Sequence, residues 1–442
     1  MKTGAFAILA SLVAPALFAA EPTVSNVSVL QRWPWNQLVD IDYTLDCDDA
    51  ADVSVALYEG ETKLDVPIMA FSGDVTDVAS GRRRIVFDPR AAGLSAKTYS
   101  SVRAELTARP TALYLIIDLT KTKGESGVVT YVTKADLESG TYGSVATNPV
   151  SGVTSIAWTG VTNDAQYATT KYVMRRVAAG TFMMGANNTK YDKDYNVRTN
   201  TVTLSHSFYI GVFETTQSQW ERVMGSNPSY FKTNGSTRPV EGITYAQVRG
   251  KNADWPTDGY GKADTGTFLQ KMCDLTGLTF DLPTFAQWQY ASGQTLNKWY
   301  NTGVTPPSSD WQTGTAANEC ARYYGNSGGV PAAPVSDYSI YDTDKGTASV
   351  GSYRCNALGL YDMHGKVWEF LLDYADDNYD YPEVCTNPVG SALGTYRMWA
   401  GGSFNRDGRY LRLAFRGGYS IQLESTNETY KRESGFRAIV MP

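Results

Sequence analysis

The chain has 442 residues, a net charge of −6 and only 19% charged residues, with 29 Tyr and 10 Trp. An acidic balance excludes nucleic acid as a general partner, and few charges beside many aromatics suit a loop-rich extracellular fold better than a helical cytosolic enzyme. The length allows two or three domains.

Lys2 is followed by an uncharged, mostly apolar run over residues 5–20, and the first acid is Glu21. That order is expected of a secretory signal peptide over residues 1–20, cleaved after Ala19 or Ala20. The run is shorter than the ~20 residues a membrane span needs, and no later segment is apolar enough to cross. The mature chain is therefore expected outside the cytoplasm, secreted or at the cell surface or in the periplasm, with no transmembrane segment. Five cysteines, Cys47, Cys273, Cys320, Cys355 and Cys385, contain no CxxC pair. In an oxidising compartment the last four allow up to two disulfides, in three connectivities.

Residues 21–109 read as all-β. Val39, Ile41 and Tyr43 alternate with polar neighbours, as do Val53, Val55 and Leu57, and Val102, Ala104 and Leu106. Short period-2 strands separated by breaks such as Phe87-Asp88-Pro89 predict a small immunoglobulin- or fibronectin-like sandwich, a spacer or adhesion module. Residues 110–170 are Thr/Gly/Ser-rich and read as a connecting region, although the apolar run 113–117 predicts packing on a neighbour.

Residues 171–442 change texture. Thr216-Gln217-Ser218-Gln219 and Thr284-Phe285-Ala286-Gln287 both fit the capping box, in which Thr and the Gln three residues later satisfy each other's backbone donors. Gly225 and Gly293 are the expected stops. A third helix is predicted over residues 265–276, with Phe268, Met272 and Leu275 on one face and Gly277 ending it. Few helices among short strands and long loops give the class α+β.

A set of blocks then follows in order: Arg176-Val177-Ala178-Ala179-Gly180-Thr181-Phe182-Met183-Met184-Gly185, Phe213-Glu214-Thr215-Thr216, Pro239-Val240 and Leu282-Pro283-Thr284-Phe285-Ala286-Gln287-Trp288. After them come Gly359-Leu360-Tyr361-Asp362-Met363-His364-Gly365-Lys366-Val367-Trp368-Glu369-Phe370, Ala400-Gly401-Gly402-Ser403-Phe404 and Gly435-Phe436-Arg437. This series resembles the formylglycine-generating enzyme (sulfatase-modifying factor) superfamily. The resemblance implies a C-type-lectin-like fold over residues 171–442, a twisted antiparallel core with large loops.

Activity is a separate matter, because one fold hosts many functions. The oxidases of that superfamily bind copper(I) through two cysteines shortly after the Gly-Gly-Ser stretch, and soft thiolates are the ligands copper(I) requires. Here the segment 401–412 has no cysteine, and Arg406 stands where the first is expected. No copper is expected, and Trp368 and Ser403, which match pocket positions, would line a cavity without catalysing. A related three-histidine iron site fails by count, since His206 and His364 are the only histidines; they are expected in a strand and in a surface turn.

The resemblance also implies structural calcium. One set would be Asp362 and Glu369 with the carbonyls of Gly365 and Val367. A second would draw on Asn318 and Asp342 with carbonyls from Glu319 and Asp344. Such hard oxygen donors suit calcium.

The function expected from these features is non-catalytic. It is a pseudoenzyme that binds an extracellular protein, peptide or glycan on a lectin-like scaffold, through Trp368, Ser403, Asn405, Arg406, Arg409 and Arg412. Residues 397–437 hold seven Arg and one Lys against four acids, which fits an acidic ligand as well as a solvated basic face. The alternatives are an oxidase or oxygenase of the superfamily with altered metal chemistry, and a structural surface-layer protein. Asn405, Arg406, Asp407, Arg409, Tyr410, Leu411, Arg412 and Leu413 can each arise from an AAC codon by changes at its adenines. That is compatible with a segment rewritten by a diversity-generating retroelement.

Overall fold

The computed structural model describes residues 21–32, 36–94, 99, 101–150, 153–186, 198–251, 255–256, 259–293, 300, 315–327, 346–375, 381–392, 394, 396–415 and 428–441. The expected leader over residues 1–20 lies outside them. Two compact units emerge, one of residues 1–64, 73–87 and 98–111, the other of 65–72, 88–97 and 112–442. Among the described residues, no helix is long and apolar enough to cross a membrane.

The first unit is all-β. Its strands are β1 (Thr23–Gln31), β2 (Val39–Asp46), β3 (Ala51–Glu59), β4 (Thr62–Lys63), β5 (Phe71–Gly73, whose first two residues fall in the second unit), β6 (Gly81–Phe87) and β7 (Val102–Pro110). They form two sheets, ordered β1-β2-β6-β5 and β4-β3-β7. In β2 the alternation holds for Ile41, Tyr43 and Leu45, which are buried. Asp40 breaks it by being buried as well, which it tolerates because Arg32 donates Nε and Nη2 to its carboxylate at 3.0 and 2.6 Å. Strand β7 departs from the expected pattern, since Val102 is exposed.

The second unit contains β8 (Tyr114–Asp118), β9 (Val129–Val132), β10 (Val145–Val150), β11 (Val153–Trp158), β12 (Lys171–Val177), β13 (Gly180–Met184) and β14 (Asn200–Leu204). Further along come β15 (Phe208–Gly211), β16 (Thr279–Asp281), β17 (Trp368–Ala375), β18 (Val384–Thr386), β19 (Tyr396–Ala400), β20 (Ser434–Gly435) and β21 (Ile439–Met441). Its largest sheet has the order β16-β21-β15-β12-β8-β9. The region expected to be a connector therefore supplies two strands of this sheet. Tyr114, Leu115, Ile116 and Ile117 are all buried, and a continuous apolar run of that kind marks a strand covered on both faces. Trp158 gives the same region a core of its own, donating Nε1–H to the Tyr142 carbonyl at 2.6 Å and meeting Tyr114 and Tyr167 edge-on.

The helices are α1 (Lys134–Glu138), α2 (Gln217–Met224), α3 (Tyr245–Val248), α4 (Phe268–Thr276), α5 (Phe285–Ser292), α6 (Thr315–Asn318) and α7 (Glu428–Glu433). Both expected capping boxes are formed, at Thr216/Gln219 and at Thr284/Gln287. Gly225, Gly293 and Gly277 end their helices in the left-handed conformation. The third helix is capped by Thr267 rather than starting at 265. Trp220 of α2 stacks on Phe268 of α4 at 5.4 Å, and Phe436 closes over both. Mixed sheets with short helices confirm the α+β class.

The two caps differ in what they hold. Thr284 caps its own helix, whereas the buried Thr216 hydroxyl also donates to the Ala168 carbonyl at 2.7 Å. A cap contributes about 1 kcal/mol, and a buried carbonyl left without its donor costs roughly 1–3 kcal/mol more. Thr216→Ala should therefore destabilise about twice as much as Thr284→Ala in equilibrium urea unfolding. Equal losses would show that the Ala168 contact contributes nothing.

Candidate functional site

Strand β17 is the spine of the site. It lies between β19, with Glu369 opposite Ala400, and the parallel β20, with Glu369 opposite Gly435. That register brings Arg437, two residues past β20, onto Glu369. Arg437 is fully buried and donates Nε to Glu369 Oε2 at 2.7 Å and Nη2 to Oε1 at 2.6 Å. Its remaining N–H groups reach the carbonyls of Gly211, Tyr361 and Asp362 at 3.0, 3.0 and 3.1 Å. Trp288 of α5 donates Nε1–H to Glu369 Oε2 at 2.7 Å. One guanidinium thus ties β15, the 361–362 loop, β17 and the C-terminal segment together, with α5 joined through Glu369.

Beside it is a second buried pair. Lys366 Nζ contacts Asp362 Oδ1 and donates to the Ser349 carbonyl at 2.9 Å. Asp362 Oδ2 accepts the Gly351 N–H at 2.7 Å. Glu214 completes the cluster, accepting the Val367 N–H at 3.2 Å. Burial raises its carboxyl well above the usual range. Gly365 is required where the turn meets Arg322, because a Cβ there would lie 2.1 Å from the Arg322 carbonyl oxygen.

In the first expected calcium set both side chains already have partners, and these do not fit an ion. Arg437 and Trp288 occupy the oxygens of Glu369, and Lys366 with Gly351 occupies those of Asp362. In the second set, Asn318 and Glu319 are exposed, the Asn318 Oδ1 accepts from Asn326 at 3.3 Å, and the Glu319 carbonyl accepts the Arg354 N–H at 3.0 Å. Asp342 and Asp344 lie outside the described residues. Among the described residues no group of three or more His, Cys, Asp or Glu is placed to hold a metal.

The Gly-Gly-Ser segment follows β19. Gly402 has φ +81°, and a Cβ there would strike Leu411. Ser403 is buried and donates to Glu433 Oε2 at 2.8 Å, Asn405 Nδ2 donates to Oε1 at 3.0 Å, and Arg406 Nε donates to Oε2 at 2.9 Å. Glu433, which nothing in the sequence singled out, is fully buried and gathers all three. Arg406 stays 29% exposed, and Arg409, 33% exposed, pairs with Asp407 at 2.7 Å. Both guanidinium groups lie 5.9 Å from the Tyr410 ring.

Other expected ligand residues are placed inside. Trp368 stacks on Trp399 at 4.9 Å, and Arg412 is buried with Nε on the Arg409 carbonyl at 2.8 Å. Leu411 and Leu413 are buried as well. The basic excess of residues 397–437 is therefore not one surface: Arg397, Arg412 and Arg437 are interior, and Arg416 lies outside the described residues. His364 is not in a surface turn. It is fully buried, donating Nδ1–H to the Leu411 carbonyl at 2.8 Å, and burial lowers it to about 4. His206 is buried just beyond β14, between the Ser205 hydroxyl and the Phe71 carbonyl. No two of the five cysteines are joined, so the disulfides that the count allows are not formed. Burial pushes Cys273 up to about 11 and Cys320 up to about 12.

Glu241 supports the same segment from below. It is buried and accepts the N–H groups of Tyr230 and Phe231 at 2.7 and 2.9 Å, and Phe231 packs edge-on against Phe404 at 5.1 Å. Burial raises its carboxyl to about 7.

The model of the sulfatase-modifying factor enzyme 1-like domain matches residues 159–441. The chaperone protein LppX of Paenibacillus barcinonensis is 31% identical over 222 residues, 46% of this chain and 71% of that protein. The formylglycine-generating enzyme of Streptomyces coelicolor is 31% identical over 125 residues, 28% of this chain but only 35% of the enzyme. Among solved structures, Treponema denticola variable protein 1 aligns with a TM-score of 0.44 and 21% identity, covering 67% of this chain and 99% of its own.

Two outcomes follow from the buried charges. Arg437→Lys keeps the charge but loses the fork that reaches both Glu369 oxygens and three carbonyls, so it should cost about 3 kcal/mol in urea unfolding; a cost under about 1 kcal/mol would mean the pair is dispensable. Glu241, raised from 4.5 to about 7 on folding, contributes stability that is complete below pH 4.5 and lost as pH rises through about 7. The Tm of wild type relative to Glu241→Gln should accordingly fall between pH 5 and pH 8, and a constant difference would contradict the assignment.

Proposed function

Because this chain belongs to the sulfatase-modifying factor enzyme 1-like family, with residues 159–441 as the family domain, we propose that it keeps the scaffold to bind a ligand outside the cytoplasm rather than to oxidise one. The observation that carries this reading is Arg406. At the position where the oxidases place a copper-binding thiolate, this chain has a guanidinium fixed on the buried Glu433. A guanidinium has no acceptor to offer a metal. None of the chain's five cysteines falls in the segment 401–412, where the oxidases carry their pair.

What the segment offers instead is a recognition face. Asn405, Arg406, Arg409 and Tyr410 are partly exposed on a loop whose frame, Gly402, Ser403, Leu411 and Arg412, is buried. Arg and Tyr are the residues that most often dominate binding surfaces, and two fixed guanidinium groups favour a ligand bearing carboxylates. Protein, peptide and acidic glycan share that chemistry. The relative LppX is named a chaperone protein, which favours a polypeptide.

The test has two arms. A sulfatase-type cysteine peptide incubated with copper-loaded protein should keep its thiol by mass spectrometry, and clear conversion to formylglycine would overturn the reading. On arrays of acidic peptides, proteins and glycans, the Arg406→Ala/Arg409→Ala variant should lose at least about tenfold in capture. Its Tm should fall, because Arg406 is the cation paired with the buried Glu433. Capture is therefore also measured on Arg409→Ala alone, whose partly exposed pair with Asp407 leaves the Tm near wild type. Arg412→Ala should instead lower the Tm by several degrees, as loss of a buried, bonded side chain does. Unchanged capture by the double variant would remove these two arginines from the binding face.

A further inference from the structure

The calcium implied by the resemblance and the groups that hold its oxygens disagree, and at Asp362 the disagreement centres on Lys366. A calcium ion takes six to eight oxygens at about 2.3–2.6 Å. Around Asp362 the oxygens are present, but an ammonium stands among them. Lys366 is fully buried, with Nζ against Asp362 Oδ1, 2.9 Å from the Ser349 carbonyl oxygen and 5.5 Å from the centre of the Tyr353 ring. Lysine is almost never fully buried unless paired, and here it pairs with Asp362, a side chain of the expected calcium set, and with a further oxygen, the Ser349 carbonyl.

The backbone is arranged to deliver that charge. Lys366 has φ +56°, a left-handed conformation uncommon for a residue with a Cβ. Its N–H donates to the Arg322 carbonyl at 2.8 Å, and its own carbonyl accepts the Phe404 N–H at 2.9 Å. The residue therefore joins the 322 turn, the 349–353 turn and the Gly-Gly-Ser-Phe segment, as a bridging ion would. Glu214, the third carboxyl of the cluster, lies within reach of the Lys366 charge.

We propose that Lys366 is a built-in structural cation, its ammonium permanently filling the place of a calcium ion between Asp362 and the Ser349 carbonyl. The fold then closes here without a bound ion. The chain depends on neither calcium supply nor chelators at this position. Removing the ammonium would leave Asp362 as a buried charge without a counter-ion, beside oxygens able to accept a divalent cation.

The experiment measures the Tm of full-length wild type and Lys366→Gly in excess EDTA and in millimolar calcium. Glycine suits the positive φ, so the variant removes the charge without adding backbone strain. Lys366→Gly should melt several degrees below wild type in EDTA and recover part of that loss in calcium. Wild type should show a smaller calcium response or none. Any ion held by the loop carrying Asn318 and Glu319 would act on both proteins and cancel in the comparison. An equal calcium response in the two would overturn the proposal, as would a wild-type response that the variant loses. Should Lys366→Gly not fold in either condition, Lys366→Met and Lys366→Met/Asp362→Asn decide the matter. Deleting both charges should restore most of the Tm lost by deleting one. A double variant no more stable than Lys366→Met would show that Lys366 is not the counter-cation of Asp362.

Discussion

The buried pairing of Arg437 with Glu369 is the constraint on which the second unit depends. A carboxylate and a guanidinium withdrawn from water are costly unless every donor and acceptor is used, and here the fork takes two carboxylate oxygens and three carbonyls from separate parts of the chain. Its energy is less informative than its reach. Arg437 lies later in the chain than every group it binds, so the strands and loops it joins can close on it only once residue 437 is present. The neighbouring Lys366–Asp362 pair extends the same design to the turns that support the Gly-Gly-Ser segment.

Local signals were legible in the sequence and tertiary ones were not. The Thr-x-x-Gln boxes at 216 and 284 specify their own partners within one turn, so reading and structure agree on both helices. A third such box, Thr244 with Gln247, escaped notice because the helix it starts has only four residues. Residues 114–117 sat in a Thr/Gly/Ser-rich context that looked like a linker, yet a strand buried on both faces carries no alternation to reveal it. The site follows the same division. Trp368, Glu369, Ser403 and Arg406 lay in recognisable blocks, whereas Glu433 is defined only by the three side chains that converge on it from 27 to 30 residues away. A charge sum over residues 397–437 cannot see that Arg397, Arg412 and Arg437 point inward, and so it overstates the basic surface.

The arrangement separates rigidity from contact. Interior ion pairs, the Trp368–Trp399 stack and the buried Arg412 hold the frame, and the partly exposed Asn405, Arg406, Arg409 and Tyr410 ride on it. Such a division lets exposed side chains change without disturbing the backbone that presents them, which is the physical property a binding scaffold needs.

Native-state amide hydrogen exchange tests most directly whether the Arg437–Glu369 centre and the Gly-Gly-Ser segment form one cooperative unit. The amides of Gly211, bonded to the Ala438 carbonyl, of Gly365, bonded to Gly401, and of Phe404, bonded to Lys366, report on its three parts. They should exchange at one common slow rate set by global unfolding, with the Arg409 amide on the partly exposed loop exchanging faster. Rapid exchange of Gly365 and Phe404 while Gly211 remains protected would show that the segment opens independently of the buried pair, contradicting the account.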